Sequence, residues 1–160
     1  MKTKLAAATH NGLLNFKGTL VSIRMSANDN SDGISIVEHR MPVGNATPLH
    51  THRNEDEIFH ILKGRMRFEV GGKIVIGNPG DILVAPKGVP HRFVVDSLEG
   101  AHCLTIAKGT DFETMVMEMS VPALSDVLPE PIAPTPEMIN ELVAACTRNG
   151  IDIVGPPLAA

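Results

Sequence analysis

The sequence predicts an all-β sandwich or barrel followed by α-helices. Between about Gly18 and Ala107, short β-prone runs alternate with clusters of Gly, Pro and Asn, and this density of turns is typical of antiparallel β proteins. After Gly109 the apolar residues recur at helical spacing instead. With 160 residues the chain is long enough to bury a core of its own.

The predicted strands can be justified in order along the chain. The first run alternates Val21, Ile23 and Met25 with polar residues, as a half-buried strand does. The runs that follow are "ISIVEHRM", "EIFHILKG", "RMRFEVGG", "KIVIGNPG", "DILVAPKG" and "HRFVVDS". Because Gly71 and Gly72 separate two of these runs, we expect a tight hairpin there.

Two helices are predicted after residue 109. In the first, Thr110 and Glu113 have the spacing of a capping box, and the apolar face consists of Phe112, Met115, Val116 and Met119. The second has Thr135 as its N-cap, Pro136 at its first position and Gly150 just beyond its end. Its apolar face consists of Ile139, Leu142, Val143 and Cys146.

These patterns divide the chain into two predicted parts. Residues 1–109 are expected to form a β-barrel domain that includes an N-terminal strand. Residues 110–160 are expected to form a C-terminal helical extension, packed on the outer face of the barrel or over its mouth.

Composition and charge argue against several classes of partner. The net charge is −4 and no basic block is present, so nucleic acid is not expected as a partner. The apolar run in the start, "MKTKLAAATHNG", is too short for the core of a signal peptide. No later apolar run approaches the length of a membrane span. Cys103 and Cys146 have no paired spacing, so we expect reduced thiols and a cytoplasmic location.

The stretch "HTHRNEDE" at positions 50 to 57 has the composition of a metal site. On a helix His50 and His52 would lie ~200° apart, whereas on a strand they share one face and can bind a single ion. A strand that begins anew after the turn-like "RNED" would direct Glu57 back towards them. A continuous strand would direct Asp56 there instead, and the spacing alone leaves both open.

Two longer motifs resemble the signatures of the cupin family. In the first, five residues separate Gly44 from His50-Thr-His52, four separate His52 from Glu57 and six separate Glu57 from Gly64. The second begins after fifteen intervening residues and consists of Gly80, Pro86, Gly88 and His91. Val95 stands where the second motif usually ends in asparagine, which would make the pocket drier.

The resemblance implies a cupin double-stranded β-helix, a jelly-roll barrel, with C-terminal α-helices. It implies that His50, His52, Glu57 and His91 hold one divalent transition metal ion, which could be Ni, Fe, Mn, Co, Zn or Cu. Three neutral imidazoles and one carboxylate suit such an ion, and four ligands leave up to two coordination positions open.

The pocket around this site is expected to be apolar. Phe59, Ile61, Phe93 and Val95 share the parity of the implied ligands, and Met66, Phe68, Ile82 and Val84 are candidates from neighbouring strands. A phosphosugar isomerase would need inward Arg or Lys, and the basic residues are expected to point elsewhere. A sugar epimerase would need an inward Tyr or a catalytic His with an Asp, and this chain has no tyrosine. A small apolar or aromatic substrate, enolisable or phenolic, therefore fits best.

The motifs, together with the C-terminal "GIDIVGPP", are similar to those of quercetin-dioxygenase-type cupins. In that group the metal binds an enolate-like substrate oxygen, the glutamate accepts the proton as catalytic base, and dioxygen cleaves the ring. This resemblance implies a metal-dependent dioxygenase with Glu57 as its base. The alternatives are a non-catalytic, metal-containing small-molecule-binding cupin and a metal-dependent isomerase or lyase.

The remaining polar residues are not expected to take part in the site. The other histidines, His10, His39, His60 and His102, are expected to be satisfied or solvated. Glu55 and Asp56 are interpreted as turn charges. Because Ile58 and Leu62 are apolar residues of the outward face, and cupins commonly pair through such faces, a homodimer is predicted.

Overall fold

The computed structural model describes residues 12–160. The predictions for residues 1–11, which include His10 and the start of the first predicted part, lie outside this range. The strands of the described part are β1 (Leu14–Phe16), β2 (Thr19–Met25), β3 (Ile34–Met41), β4 (Pro48–His52), β5 (Glu57–Lys63), β6 (Met66–Val70), β7 (Lys73–Gly77), β8 (Ile82–Ala85), β9 (His91–Val95), β10 (Ala101–Lys108), β11 (Ser120–Pro122) and β12 (Ile151–Pro157). The helices are a 3₁₀ turn at Ala27–Asp29, α1 (Asp111–Met119) and α2 (Pro136–Arg148).

The strands form two antiparallel sheets. One has seven strands in the order β11-β1-β2-β3-β10-β5-β8, and the other has five in the order β12-β4-β9-β6-β7. Many neighbours come from distant parts of the chain, since β10 pairs with both β3 and β5. The predicted class is confirmed as a jelly-roll-like pair of sheets with C-terminal helices, although the sheets do not close into one barrel.

Local sequence explains the strands and the tight hairpin. β3 coincides with the predicted run "ISIVEHRM", and its side chains alternate between half-buried and buried along the whole strand. Gly71 and Gly72 join β6 to β7 with φ values of 57° and 79°. Two consecutive residues at positive φ are what a type I′ hairpin requires, and glycine adopts this backbone without steric cost.

The segment after residue 109 is not purely helical. β11 pairs with β1, and β12 pairs with β4, so this segment adds an edge strand to each sheet. β12 contains most of the motif "GIDIVGPP". Its two prolines are tolerated because an edge strand leaves one row of backbone groups unpaired.

The two helices differ in how their first turns are capped. At α2 the prediction is confirmed, because Thr135 Oγ1 accepts a hydrogen bond from Met138 N at 3.3 Å. At α1 the predicted capping box is wrong. Thr110 makes no side-chain capping bond, and the carboxylate of Glu113 accepts a hydrogen bond from Ala27 N at 2.9 Å instead.

Two apolar clusters make up the described core. The first joins the two sheets and includes Phe59, Phe68 and Phe93, whose ring centroids lie 5.0 to 5.9 Å apart. The second packs the buried faces of α1 and α2 against β2 and β3. Among the described residues, neither helix is long and apolar enough to cross a membrane.

Candidate metal centre

Three strands from both sheets bring four potential ligands together. His50 on β4 lies directly opposite His91 on β9 in the antiparallel register, and His52 follows two residues later on the same face. Glu57 is the first residue of β5, which belongs to the other sheet. The structure therefore directs Glu57, and not Asp56, towards the histidines.

The four side chains are close enough to share one ion. One donor atom from each lies within 4.8 Å of the donor atoms of the other three. Glu57 Oε2 is 3.0 Å from His91 Nε2, 3.4 Å from His52 Nε2 and 4.0 Å from His50 Nε2. Three of the four residues are buried and His50 is partly buried.

Backbone carbonyls fix how two of the imidazoles present their nitrogens. His50 Nδ1 donates to the carbonyl oxygen of Pro48 at 2.8 Å, and His91 Nδ1 donates to that of Val89 at 2.9 Å. A neutral imidazole that donates through Nδ1 carries a lone pair on Nε2. With Nδ1 fixed in this way, both rings direct Nε2 towards the carboxylate of Glu57, and His91 Nε2 lies within hydrogen-bond distance of it.

The donor set fits a divalent transition metal. His52 is fully buried, and neither of its ring nitrogens has a hydrogen-bond partner, although buried polar atoms are ordinarily paired. An ion among the four residues would give His52 Nε2 a partner. Imidazole and carboxylate are ligands that Fe, Mn, Co, Ni, Zn and Cu accept.

The electrostatics favour the metal-binding forms of Glu57 and His50. At His52 burial is outweighed by the carboxylates of Glu57 and Glu55, which raise the pKa of its imidazole. Burial alone would raise the pKa of Glu57, but the imidazoles of His52, His91 and His50 lower it to about 2. Burial, together with the neighbouring His91, lowers the pKa of His50 to about 4. At neutral pH Glu57 is therefore ionised and His50 neutral, which are the forms that bind metals.

Glu55 has a larger role than the turn charge that the sequence suggested. It is buried, and its two carboxylate oxygens accept hydrogen bonds from the backbone N–H groups of Asp111 at 2.7 Å and Phe112 at 3.0 Å. These are the first two residues of α1, so Glu55 caps this helix. The same carboxylate lies 3.8 Å from His52 Nδ1, and it therefore connects α1 to one of the potential ligands.

An apolar cavity of about 150 Å³ adjoins the cluster. Phe59 and Phe93 line it, as predicted from parity. Four other predicted pocket residues are buried in the first apolar cluster and do not line the cavity: Ile61, Met66, Phe68 and Val95. The replacement of the usual asparagine by Val95 therefore affects the core beside the site and not the cavity wall.

Two predicted pocket residues lie on the wrong side of the sheet. Ile82 and Val84 are 65% and 50% exposed on the outer face of β8. Leu83 and Ala85 occupy the inward positions, opposite Phe59 and Glu57 on β5. The prediction was out of register by one residue, and in a strand that error transfers every side chain to the other face.

The C-terminal helices and strand supply wall residues that strand parity could not identify. They are Phe112 and Met115 from α1, Leu142 and Cys146 from α2, and Ile151 and Ile153 from β12. His39 on β3 also lines the cavity. Its signal was present in the sequence, because strict alternation in "ISIVEHRM" places it on the same face as Val37 and Met41.

A larger groove of about 680 Å³ adjoins the cavity. The two spaces share wall residues, among them Lys17, Asn45 and Leu142. The proline-rich connector and the end of the chain form the outer rim of the groove, with Pro131, Pro134 and Leu158 among its lining. Most of this rim is apolar.

Comparison with known proteins finds partial matches. Residues 37–107 match the family model described as Cupin domain. Over 50 residues the chain is 38% identical to the oxidoreductase OpS7 of Beauveria bassiana, and over 58 residues it is 34% identical to an uncharacterized protein of Methanocaldococcus jannaschii. These matches cover 31% and 36% of this chain but 16% and 46% of the relatives, so the chain spans less than half the length of each.

Solved structures share the fold. KdgF from Halomonas sp. superposes with a TM-score of 0.52, over 60% of this chain and 84% of that chain, at 21% sequence identity. Identity at this level supports a common fold and no more.

Proposed function

Because this chain belongs to the cupin superfamily, with a cupin domain over residues 37–107, we propose that it is a metal-dependent dioxygenase acting on a small apolar compound that is enolisable or phenolic. One observation carries the proposal. Three imidazoles and one carboxylate converge at the edge of an apolar cavity, and one of these imidazoles is buried without a hydrogen-bond partner among the described residues.

His50, His52, Glu57 and His91 would hold one divalent ion, and this ligand set accepts several first-row metals. When bound, the ion supplies a Lewis acid that makes a substrate hydroxyl more acidic. The carbonyl bonds to His50 and His91 fix the orientation of both rings, so that neither has to reorganise when substrate enters.

Glu57 would accept a proton from the substrate. Its lowered pKa means that it is ionised at neutral pH, and a carboxylate removes protons most readily from acidic groups. An enol or a phenol is more acidic than an aliphatic alcohol. The chemistry of Glu57 therefore favours the same substrate class as the apolar wall.

The size of the cavity restricts what can reach the ligand cluster. A space of about 150 Å³ is the size of an engineered cavity in another protein that binds benzene. A single ring with its oxygen substituent fits, whereas a three-ring flavonol would need the adjoining groove for its remaining rings. Phe59 and Phe93 offer aromatic faces to such a ring.

The match to a protein named an oxidoreductase supports this reaction class. It spans only 50 residues of this chain, so it does not indicate which substrate this protein uses. Dioxygen is the expected co-substrate.

Oxygen uptake by the nickel, cobalt, manganese and iron forms, measured against flavonols and single-ring phenols and enols, tests the proposal. We expect uptake with at least one metal. At metal concentrations that fill the site, Glu57→Gln should abolish uptake and retain ligand binding, whereas Glu99→Gln, at an exposed glutamate, should behave as wild type.

No turnover with any metal in a filled site would contradict a dioxygenase and favour a binding protein. Turnover without oxygen consumption would favour an isomerase or lyase.

We also propose that the protein is a homodimer. Ile82 and Val84 are exposed on β8, where Val84 lies opposite Ile58 on β5. β8 is the edge strand of the seven-stranded sheet, and exposed apolar edge strands tend to associate. A monomer in light scattering at micromolar concentration would refute this proposal.

A further inference from the structure

His39 is a buried polar residue that the ligand cluster does not use. It is only 7% exposed, and its Nε2 atom has no hydrogen-bond partner. Alternation along β3 directs it inwards, and its cross-strand partner on β10 is Cys103. Both residues line the cavity beside the proposed metal site.

Phe112 lies close to both His39 and the ligand cluster. The ring centroid of Phe112 lies 5.8 Å from that of His39 and 6.0 Å from that of His52. One wall residue therefore contacts both an implied ligand and His39. The same small chamber has the cluster at one part of its wall and a second imidazole at another.

His39 is in its neutral form at neutral pH. Burial lowers its pKa to about 4, although the charge of Glu57 partly opposes the effect. A neutral imidazole has one N–H donor and one acceptor nitrogen. It can therefore donate to a substrate oxygen or accept from a substrate hydroxyl.

The unpaired ring nitrogen of His39 has no explanation in the fold or in the proposed metal site. Among the described residues, the buried side-chain atoms without a partner belong to Ser35, His39 and His52. His52 is explained by the proposed ion, and Ser35 does not line the cavity. His39 is the remaining one, and a buried ring nitrogen without a partner destabilises the protein unless something binds it.

We propose that His39 is a substrate-binding residue, which forms a hydrogen bond with a second oxygen of the substrate while the first faces His50, His52, Glu57 and His91. This inference rests on the proposed function and specifies its substrate class. Because the chamber holds one ring, and the ligand cluster and the unpaired His39 lie on different parts of its wall, the ligand is a ring with two oxygen substituents. A ring with one oxygen would leave His39 unpaired.

Binding to the zinc-loaded protein tests this without turnover, because zinc has no redox chemistry. The probes are phenol, catechol, resorcinol and hydroquinone, measured by calorimetry. In the wild type we expect at least one of the three dihydroxybenzenes to bind more tightly than phenol. A net hydrogen bond corresponds to an advantage of roughly 2- to 12-fold. His39→Leu should remove this advantage, and His39→Gln, which can still hydrogen-bond, should retain part of it.

Ser35→Ala is the matched control, since it removes the other unpaired polar group on the same strand. It should leave the ratio of affinities unchanged. If His39→Leu has the same ratio as the wild type, or if no probe binds saturably, the inference is overturned while zinc binding upholds the metal site. A wild-type chain that binds neither zinc nor nickel, iron, manganese, cobalt or copper overturns the proposed function together with the inference.

A measurement on the wild type keeps the inference testable if His39→Leu does not fold. In the ¹⁵N spectrum of the zinc-loaded protein, the His39 ring nitrogen resonances should shift when the tightest dihydroxybenzene is added and should shift less with phenol. Equal shifts with both would overturn the inference.

Discussion

At the scale of single residues, one carboxylate oxygen organises the proposed site. Glu57 Oε2 lies within 4.0 Å of the Nε2 atoms of His50, His52 and His91. Glu57 also carries the negative charge in this group, and it comes from the opposite sheet to the histidines. The contacts of this oxygen atom with the three imidazoles therefore link the two sheets.

Glu57→Gln keeps the size of the side chain and removes its charge. We expect a fall in metal affinity larger than the roughly 10–100-fold that loss of an outer partner costs, because a ligand itself changes. Titration with zinc and a competing chelator measures it. An affinity within a factor of about three of wild type would show that Glu57 is not a ligand.

Sequence reasoning succeeded for residues in fixed motifs and failed where a side chain depends on distant parts of the chain. The four potential ligands follow from the resemblance to the cupin motifs, whereas strand parity alone left Glu57 and Asp56 open. The capping role of Glu55 could not be identified from the sequence, because its partners at the start of α1 are distant in the chain. Asp111, for example, is 56 residues away. Ile82 and Val84 were misplaced because "DILVAPKG" has apolar residues at both alternating sets of positions, so the sequence does not indicate which set faces inwards.

At the scale of elements, the C-terminal segment completes the site. β12 pairs with β4, with Ile151 opposite His52 and Ile153 opposite His50, so the strand that carries both histidines is interior to its sheet. α1 and α2 contribute to the cavity wall. The boundary at residue 109 stays a prediction, but the sheets continue across it.

Glu55→Gln tests the link between α1 and the cluster. Glutamine has one oxygen where the carboxylate has two, so one of the bonds to Asp111 N and Phe112 N is lost together with the charge. We expect a loss of about 1–3 kcal/mol in the free energy of unfolding and a fall of roughly 10–100-fold in metal affinity. Urea unfolding and zinc titration measure the two effects. Lost stability with unchanged affinity would limit Glu55 to capping α1.

Gly109 provides a second test of the same contact. A Cβ atom at Gly109 would lie 2.3 Å from Glu55 Oε1, and its φ is 143°. Gly80 has a φ of 94° and nothing within 4 Å of the corresponding position. We therefore expect Gly109→Ala to destabilise the protein by more than Gly80→Ala in thermal unfolding, by at least ~1 kcal/mol, because it adds a clash to the backbone strain. Equal losses would mean that the carboxylate moves aside freely.

Long, periodic elements were the predictable ones. β3 and α2 follow from alternation and from the Thr135-Pro136 start. β12 was missed because a strand after a helix, ending in two prolines, has little local signal. Its pairing with β4, about a hundred residues earlier in the chain, is decided by tertiary packing and not by propensity.

At the scale of the whole molecule, the two sheets and the helices surround the cavity with buried groups whose protonation is linked to folding. In the unfolded chain His39 takes up a proton near pH 6.5, whereas burial lowers its pKa in the folded protein to about 4. Between these values the unfolded state binds more protons. Stability from this group is therefore fully present above pH 6.5 and is lost as the pH falls towards 4.

The expected loss from His39 over this window is about 3 kcal/mol at most. We predict that His39→Leu flattens the dependence of the unfolding free energy on pH between 6.5 and 4. Urea unfolding of both metal-free proteins across this range measures it. Parallel curves for the two proteins would contradict the burial of a neutral imidazole at this position.

The central claim is that four residues from two sheets bind one metal ion, and elemental analysis tests it most directly. Protein purified without chelators should contain about one divalent transition metal ion per chain, or should take one up when titrated. His91→Ala should contain almost none, because it removes the imidazole that lies 3.0 Å from Glu57. A wild-type protein that is isolated without metal, and that binds none of nickel, iron, manganese, cobalt, zinc or copper, would contradict the account.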